Sequence, residues 1–166
     1  MVETAIVLAM VAIFVAFIAP PITEALTAYE SAAKGLNAEA RVRYALERIA
    51  REVRQIRIRP SDGSRYDVTD PFVIHTNDID FTKHDTQRVV IAKSGSFVTM
   101  NYTGVATTTL IDGVTAFTVA YYQNSATGTL ASAGSDTVAS IRFVLTISDD
   151  GVTHQGETRV NLRNSL

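Results

Sequence analysis

Residues 1–22 read MVETAIVLAMVAIFVAFIAPPI, and this stretch decides the fold of the chain. Residues 5–19 carry no polar side chain. A helix over residues 4–22 would be roughly 28 Å long at about 1.5 Å per residue. That length nearly matches the hydrocarbon core of a bilayer, which is about 30 Å thick. The stretch therefore predicts an apolar helix of membrane length with one carboxylate, Glu3, at its edge.

Two ordinary explanations of this apolar stretch are a secretory signal peptide and a plain signal anchor. A signal peptide is disfavoured because no Lys or Arg precedes the stretch and no convincing small-x-small cleavage site follows it. A signal anchor explains the length of the stretch. It leaves Glu3 unexplained, because a carboxylate at the edge of a membrane segment is costly and usually has a partner.

The helical pattern continues beyond Pro20 and Pro21, where the missing backbone donors predict a kink. The sequence predicts one helix over about residues 2–58, ended by Pro60 with Asp62-Gly63 behind it. Its last third is amphipathic. One apolar stripe has spacings of 4, 3, 4 and 3, formed by Val42, Leu46, Ile49, Val53 and Ile56. Two i,i+4 ion pairs are predicted on the polar side, Glu47–Arg51 and Arg48–Glu52.

From residue 66 onward the sequence has the composition of strands. Turns are predicted at Ser94-Gly95 and Asp112-Gly113. The predicted strands are 88–93, 96–103, 114–123, 137–148 and a final edge strand at 159–162. The prediction is an α+β domain in which the long N-terminal helix packs along an antiparallel sheet. The predicted divisions are 1–25 for the apolar half of the helix, 26–59 for its amphipathic half, and 60–166 for the β domain.

Charge and composition narrow the function classes. The net charge is −2, but seven arginines lie within residues 41–59 against only Glu47 and Glu52. We interpret this run as a solvated helix face, or as a contact with the acidic β domains of neighbouring subunits, and predict no nucleic-acid partner. The chain has no cysteine, so no disulfide or thiolate zinc site is possible. The Gly-, Ser-, Thr- and Ala-rich segment 124–137 predicts a long hairpin loop, which is either a plain linker or a variable or glycosylated surface.

Catalytic motifs are not found in the sequence. It contains no GxSxG, Walker A or GxGxxG, and His75, His84 and His154 lack metal-ligand spacing. Two groups offer the oxygen ligands that calcium takes, Asp78/Asp80/Asp85 and residues 148–151, but neither matches an EF-hand loop. We therefore predict no cofactor, no metal site and no enzymatic activity.

The stretch VETAIVLAMVAIFVAFIAP resembles the mature N-terminus of type IV pilins and of type II secretion pseudopilins. That family has an apolar helix with a glutamate near its start and a proline seventeen residues later, and Glu3 and Pro20 have this spacing. The glutamate is usually the fifth mature residue and here is the third, so either two residues precede this sequence or its start is unusual. Three further stretches, at 45–56, 110–122 and 159–164, are similar to J-type pseudopilins and related minor pilins.

The resemblance implies a cycle of assembly. The subunit waits in the inner membrane, is processed by a prepilin peptidase, and enters a helical filament of identical or related subunits, outside the cell or as a periplasmic pseudopilus. A separate cytoplasmic ATPase and its platform supply the energy. In the filament Glu3 pairs with the N-terminal amine, at Met1 as numbered here, of a neighbouring subunit, while Pro20 and Pro21 let the helix loosen.

Three hypotheses remain after the sequence analysis. The first is a structural subunit of a type IV pilus-like filament, and the second is a J-type minor pseudopilin that primes a type II secretion pseudopilus. The third is a membrane-anchored binding domain that never polymerises, and Glu3 argues against it. The alternative reading of Glu3, a carboxylate that favours the helix dipole, is worth only about 0.3–1 kcal/mol.

Overall fold

One long helix opens the chain. The computed structural model describes residues 2–57, 68–69, 77–122 and 138–162. Helix α1 runs over Val2–Val53 and includes both prolines. The predicted end at residue 58 is wrong. Residues 54 and 55 form a turn, and Ile56 bridges to Lys83 as a strand would.

Within the described residues, eight antiparallel strands follow the helix, in two sheets. The five-stranded sheet has the order β1 to β5, with β1 Val68–Thr69, β2 Asp78–Thr82, β3 Arg88–Ser94, β4 Phe97–Tyr102 and β5 Thr108–Ile111. The three-stranded sheet has β6 Val114–Tyr122, β7 Ser140–Asp149 and β8 Val152–Asn161. The predicted α+β class, a long N-terminal helix with antiparallel strands, is confirmed. The division into two sheets is a further finding, since hydrophobic alternation does not indicate which strands pair.

The chain divides into two units, Met1–Asn37 and Ala38–Leu166. The second unit contains the end of α1 and both sheets, which share one hydrophobic core. The predicted helical stripe from Val42 to Ile56 is buried, with each side chain at most 5% exposed. The predicted alternation in β7 is also confirmed, because Ile141, Phe143, Leu145 and Ile147 are all at most 1% exposed. Phe117 of β6 stacks on Phe143 with ring centroids 6.3 Å apart.

Strand β8 is much longer than the predicted edge strand at 159–162. It begins at Val152, directly after a two-residue turn in which Asp150 and Gly151 both have positive φ. Such a turn matches the twist of a hairpin. The full length of this strand could not be predicted from the sequence, because most of its residues are polar or small and give no alternation of apolar residues. At its centre, a Cβ on Gly156 would lie 2.6 Å from Val42 Cγ1 and 3.0 Å from Leu46 Cδ1, so the helix packs where β8 has no side chain.

Several predicted features lie outside the described residues. They are Met1, Pro60, Asp62-Gly63, His75, the segment 124–137 and the last residues of the 159–164 stretch. The predictions made for them stay predictions.

Candidate functional site

The apolar head of α1, residues 2–22, is the strongest functional feature of the chain. It carries twelve large apolar side chains, each between 52% and 76% exposed. An exposed apolar surface of this extent marks a membrane or protein interaction site. By length and composition this part of α1 is sufficient to cross a membrane.

Glu3 lies in the first turn of α1 and is exposed. Among the described residues, which do not include Met1, no cation lies within ion-pair distance of its carboxylate. A carboxylate in the first turn is compatible with the helix dipole. The geometry leaves Glu3 at the end of an apolar helix, accessible to a partner.

Pro20 and Pro21 both lie inside the helix. Each proline removes one backbone donor, so the carbonyl groups four residues earlier lose their helical partners. Just after the prolines, the Thr23 hydroxyl donates to the carbonyl oxygens of Ala19 at 3.2 Å and of Pro20 at 2.8 Å. The helix therefore lacks backbone hydrogen bonds near Pro20 and Pro21, where a kink was predicted. The described segment remains helical through both prolines.

A buried group of charged residues lies in the second unit and was not predicted as a group. Glu52 is 5% exposed, and its Oε2 accepts a hydrogen bond from Lys83 Nζ at 3.2 Å, with Lys83 itself 8% exposed. Arg48 lies 3.4 Å from Glu52 Oε1, which confirms the predicted i,i+4 pair. The prediction that this pair lies on the polar side is wrong, because Glu52 is buried.

Tyr102 completes this buried group. Its hydroxyl accepts a hydrogen bond from Arg48 at 3.2 Å, and the Lys83 ammonium lies 5.4 Å from the centre of its ring. Burial raises the pKa of the Tyr102 hydroxyl, a hydrogen bond to Glu52 raises it further, and Arg48 opposes both. The cluster couples the end of α1 to β4 and to the end of β2, so its evident role is to hold the domain together.

Three arginines of the basic run, Arg41, Arg43 and Arg48, form ion pairs within the chain. Arg41 pairs with Asp112 and lies 3.7 Å from Asp149, so it joins the turns that precede β6 and β8. Glu47 pairs with Arg43 at 3.2 Å, four residues before it, rather than with the predicted Arg51. Arg41 therefore contacts acidic groups of the β domain of its own chain.

The candidate calcium ligands have other partners. Asp80 forms a bidentate pair with Arg88, and Asp85 accepts a hydrogen bond from the backbone amide of Gln87 at 3.0 Å. Within the described ranges, no three His, Cys, Asp or Glu side chains lie close enough together to hold a metal ion.

A groove of about 580 Å³ lies between α1 and the outer strand β8. Val42, Leu46 and Gly156 contribute its apolar lining, and Glu39, Arg43 and Glu157 contribute charge. The Arg142 guanidinium forms an ion pair with the Glu157 carboxylate. The groove thus presents both apolar side chains and charges of both signs.

The chain matches no model of a known protein family and no curated protein.

Proposed function

We propose that the chain is a structural subunit of a type IV pilus-like filament and that it polymerises through its N-terminal helix. The observation that carries the proposal is the exposed apolar head on an unbroken 52-residue helix. Leaving a large apolar side chain in water instead of burying it forfeits roughly 1.5–3 kcal/mol. Twelve such side chains cannot remain in water, so lipid or protein must cover them.

Glu3 supports a helix that leaves the membrane over a permanent lipid anchor. A carboxylate near the hydrocarbon is costly without a partner. In a bundle of identical helices, the N-terminal amine of a neighbouring subunit provides that partner, and a low dielectric strengthens the attraction. Removing one member of such a pair leaves an uncompensated charge. Glu3 therefore favours assembly and selects one axial offset between subunits.

The proposal is tested by comparing Glu3→Ala with Glu24→Ala, which removes another exposed carboxylate of the same helix. Filaments are sheared from native cells, imaged by electron microscopy and quantified by mass spectrometry, which also reads the true N-terminus. We expect Glu3→Ala to reduce filament-borne subunit at least tenfold while the amount in the membrane stays the same. Glu24→Ala should assemble normally. Unchanged filaments in Glu3→Ala would falsify the role of Glu3 and favour a membrane-anchored domain.

A second candidate function is that of a J-type minor pseudopilin that primes a type II secretion pseudopilus. It is favoured by the three stretches similar to that subfamily, at 45–56, 110–122 and 159–164. The same filament preparation separates the two functions by copy number. A chain that dominates long filaments is a major subunit, whereas a chain at trace level beside another dominant subunit is a primer or a tip.

A further inference from the structure

Strand β8 forms the longest open sheet edge in the part of the chain that the structure describes. It has ten residues, and β7 is its only partner among the described strands. The edges of the five-stranded sheet are short, because β1 has two residues and β5 has four. Strand β6, at the opposite edge of the three-stranded sheet, packs against β2, β3 and β4. A further strand therefore finds its most extensive pairing surface at β8.

The odd-numbered residues of β8 direct their backbone amide and carbonyl groups away from β7. Asp149 and Val152 flank the two-residue turn and form a hydrogen-bonded pair, and pairs of this kind alternate along an antiparallel ladder. The even-numbered residues therefore bond to β7. In the described ranges, no backbone hydrogen bond joins Thr153, Gln155 or Glu157 to another element, and all three residues are exposed.

Strand β8 lacks features that usually protect an edge strand. Such features include a proline, a lysine, a β-bulge and a very short length. The strand reads VTHQGETRVN, with neither proline nor lysine, and its register with β7 is continuous over all ten residues. The groove of about 580 Å³ separates this edge from α1, so the helix does not cover it.

The charges of β8 are arranged so that the strand is complementary to itself. Glu157 and Arg159 are both exposed and lie on one face of the sheet, because residues two apart share a face. If β8 pairs antiparallel with β8 of a second copy and the pairing is centred on Thr158, Glu157 of each copy lies opposite Arg159 of the other. Moving the centre by one residue places two glutamates or two arginines opposite each other. Opposite charges stabilise a strand pair and like charges destabilise it, so charge selects the register centred on Thr158 over its two neighbours.

A second copy would also offset a like-charge contact within the chain. Arg142 of β7 and Arg159 of β8 are directly opposite each other, and Glu157 forms an ion pair with Arg142. The Arg159 guanidinium lies over the ring of Tyr122, 4.4 Å from its centre, and a strand added at the open edge leaves this contact in place. Glu157 of the second copy would add a carboxylate opposite Arg159 on the other side.

We propose that β8 is a self-association surface and that its occupant is β8 of a second copy of this chain, paired antiparallel about a twofold axis at Thr158. The two three-stranded sheets then form one sheet of six strands. The axis is perpendicular to this sheet, so the buried parts of the two α1 helices run in opposite directions. This contact goes beyond the proposed function, because the subunits of one filament run in the same direction. The contact instead joins two filaments that lie side by side and run in opposite directions.

Single cysteines report this pairing directly, because the chain has no cysteine of its own. Thr158→Cys places two thiols across the axis, in a pair whose Cα atoms are about 4.5 Å apart, which is within the range for a disulfide. Thr153→Cys is the matched control on the same strand, because its two copies would lie about 33 Å apart at about 3.3 Å per residue. The full chain is oxidised in mild non-ionic detergent, and dimers are quantified by non-reducing electrophoresis. We expect at least tenfold more dimer from Thr158→Cys, and equal yields from the two variants would overturn the pairing.

A charge exchange tests the register. In the Thr158→Cys background, Glu157→Arg should reduce the disulfide dimer at least tenfold, because two arginines then lie opposite each other. Adding Arg159→Glu restores opposite charges in the reverse order, keeps a carboxylate beside Arg142, and should restore the dimer. If the exchanged variant keeps the urea transition of the parent and still forms no dimer, the register centred on Thr158 is wrong.

Sheared filaments test the contact between filaments. Glu157→Arg should leave the amount of filament unchanged and reduce the number of filaments lying in side-by-side pairs in electron micrographs at least tenfold. Pairs as frequent in Glu157→Arg as in the wild type would contradict a role of β8 between filaments. The filament function is tested separately by Glu3→Ala, and the disulfide measurement in detergent does not depend on its outcome.

Discussion

The apolar side chains of α1 are exposed in one part of the helix and buried in the other. Between Val2 and Leu36 the large apolar side chains are exposed, whereas between Ala38 and Val53 the apolar stripe is buried in the core of the second unit. Both parts are helical, and both carry large apolar side chains. The difference therefore lies in what covers them: this chain's own sheets cover one part, and the function proposed above assigns the other part to an external partner.

This contrast separates stability from assembly. Substitutions in the buried part should change the free energy of unfolding of the domain. Substitutions in the exposed part should leave that free energy unchanged and act on the contact with a partner. Each prediction below tests one side of the contrast.

The largest effect is expected from a matched pair of phenylalanines. Phe143→Ala removes a fully buried ring stacked on Phe117 and should lower the free energy of unfolding by roughly 3–5 kcal/mol. Phe17, which is 76% exposed, provides the control, and Phe17→Ala should have no effect on the same transition. The measurement is urea unfolding of the full chain in mild non-ionic detergent, followed by circular dichroism. A comparable loss in Phe17→Ala would contradict the division between the two parts.

The buried ion pair should give the next largest effect. Lys83→Met leaves the Glu52 carboxylate with only Arg48, at 3.4 Å, and Glu52→Gln leaves the Lys83 ammonium with only Asp85, at 3.7 Å. Each should cost about 3 kcal/mol, because a buried charge that loses its closest partner is penalised. The double variant should lose less than the two single losses combined. Additive losses in urea unfolding would show that the two side chains act independently.

These two predictions also show what the sequence reveals and what it conceals. The core face of α1 and that of β7 follow from the spacing of their apolar residues alone. The burial of Lys83 does not, because its partner Glu52 lies 31 residues away and no local pattern marks it. The end of α1 was misplaced for the same reason, since the strand-like bridge between Ile56 and Lys83 is a long-range contact.

In the apolar head and the helix that follows it, some features could also be predicted from the sequence and others could not. Glu3, Pro20 and Pro21 were identified because the spacing of a glutamate and a proline within an apolar run is a local property of the sequence. The apolar residues Ile22, Leu26, Tyr29 and Leu36 are also periodic, but the structure was needed to show that their side chains are exposed. Periodicity predicts a face of a helix, and it does not indicate what covers that face.

Close packing of β8 against the buried part of α1 gives an intermediate effect. In Gly156→Ala the new Cβ would meet Val42 Cγ1 at 2.6 Å, so overpacking should cost about 1–3 kcal/mol. Combining it with Val42→Ala frees that space, so the double variant should be more stable than the sum of the single losses predicts. If Gly156→Ala proves neutral in urea unfolding, the strand does not lie as close to the helix as described.

Tyr102→Phe should have a smaller effect that depends on pH. At neutral pH it removes the hydrogen bonds of the hydroxyl with Arg48 and Glu52 and should cost about 1 kcal/mol. Burial raises the pKa of this hydroxyl in the folded state. The folded state therefore holds the proton more tightly, and this contribution is present below about pH 10, the usual pKa of tyrosine, and lost as the pH rises through the folded pKa. The stability difference between wild type and Tyr102→Phe should shrink above pH 10, and a constant difference up to pH 12 would contradict the shift.

The smallest effect is expected at the pair of Arg43 and Glu47, whose side chains are 83% and 66% exposed. Water and salt screen such a pair, and holding two long side chains in one geometry costs entropy, so Arg43→Ala should change the free energy of unfolding by only about 0.3–0.5 kcal/mol. Even that difference should disappear in 1 M salt, where the Debye length falls to about 3 Å. A loss above 1 kcal/mol that persists in salt would mean that the stem of Arg43 packs into the groove beside β8. In that case the boundary between the buried and exposed sides of α1 would have to be moved to include it.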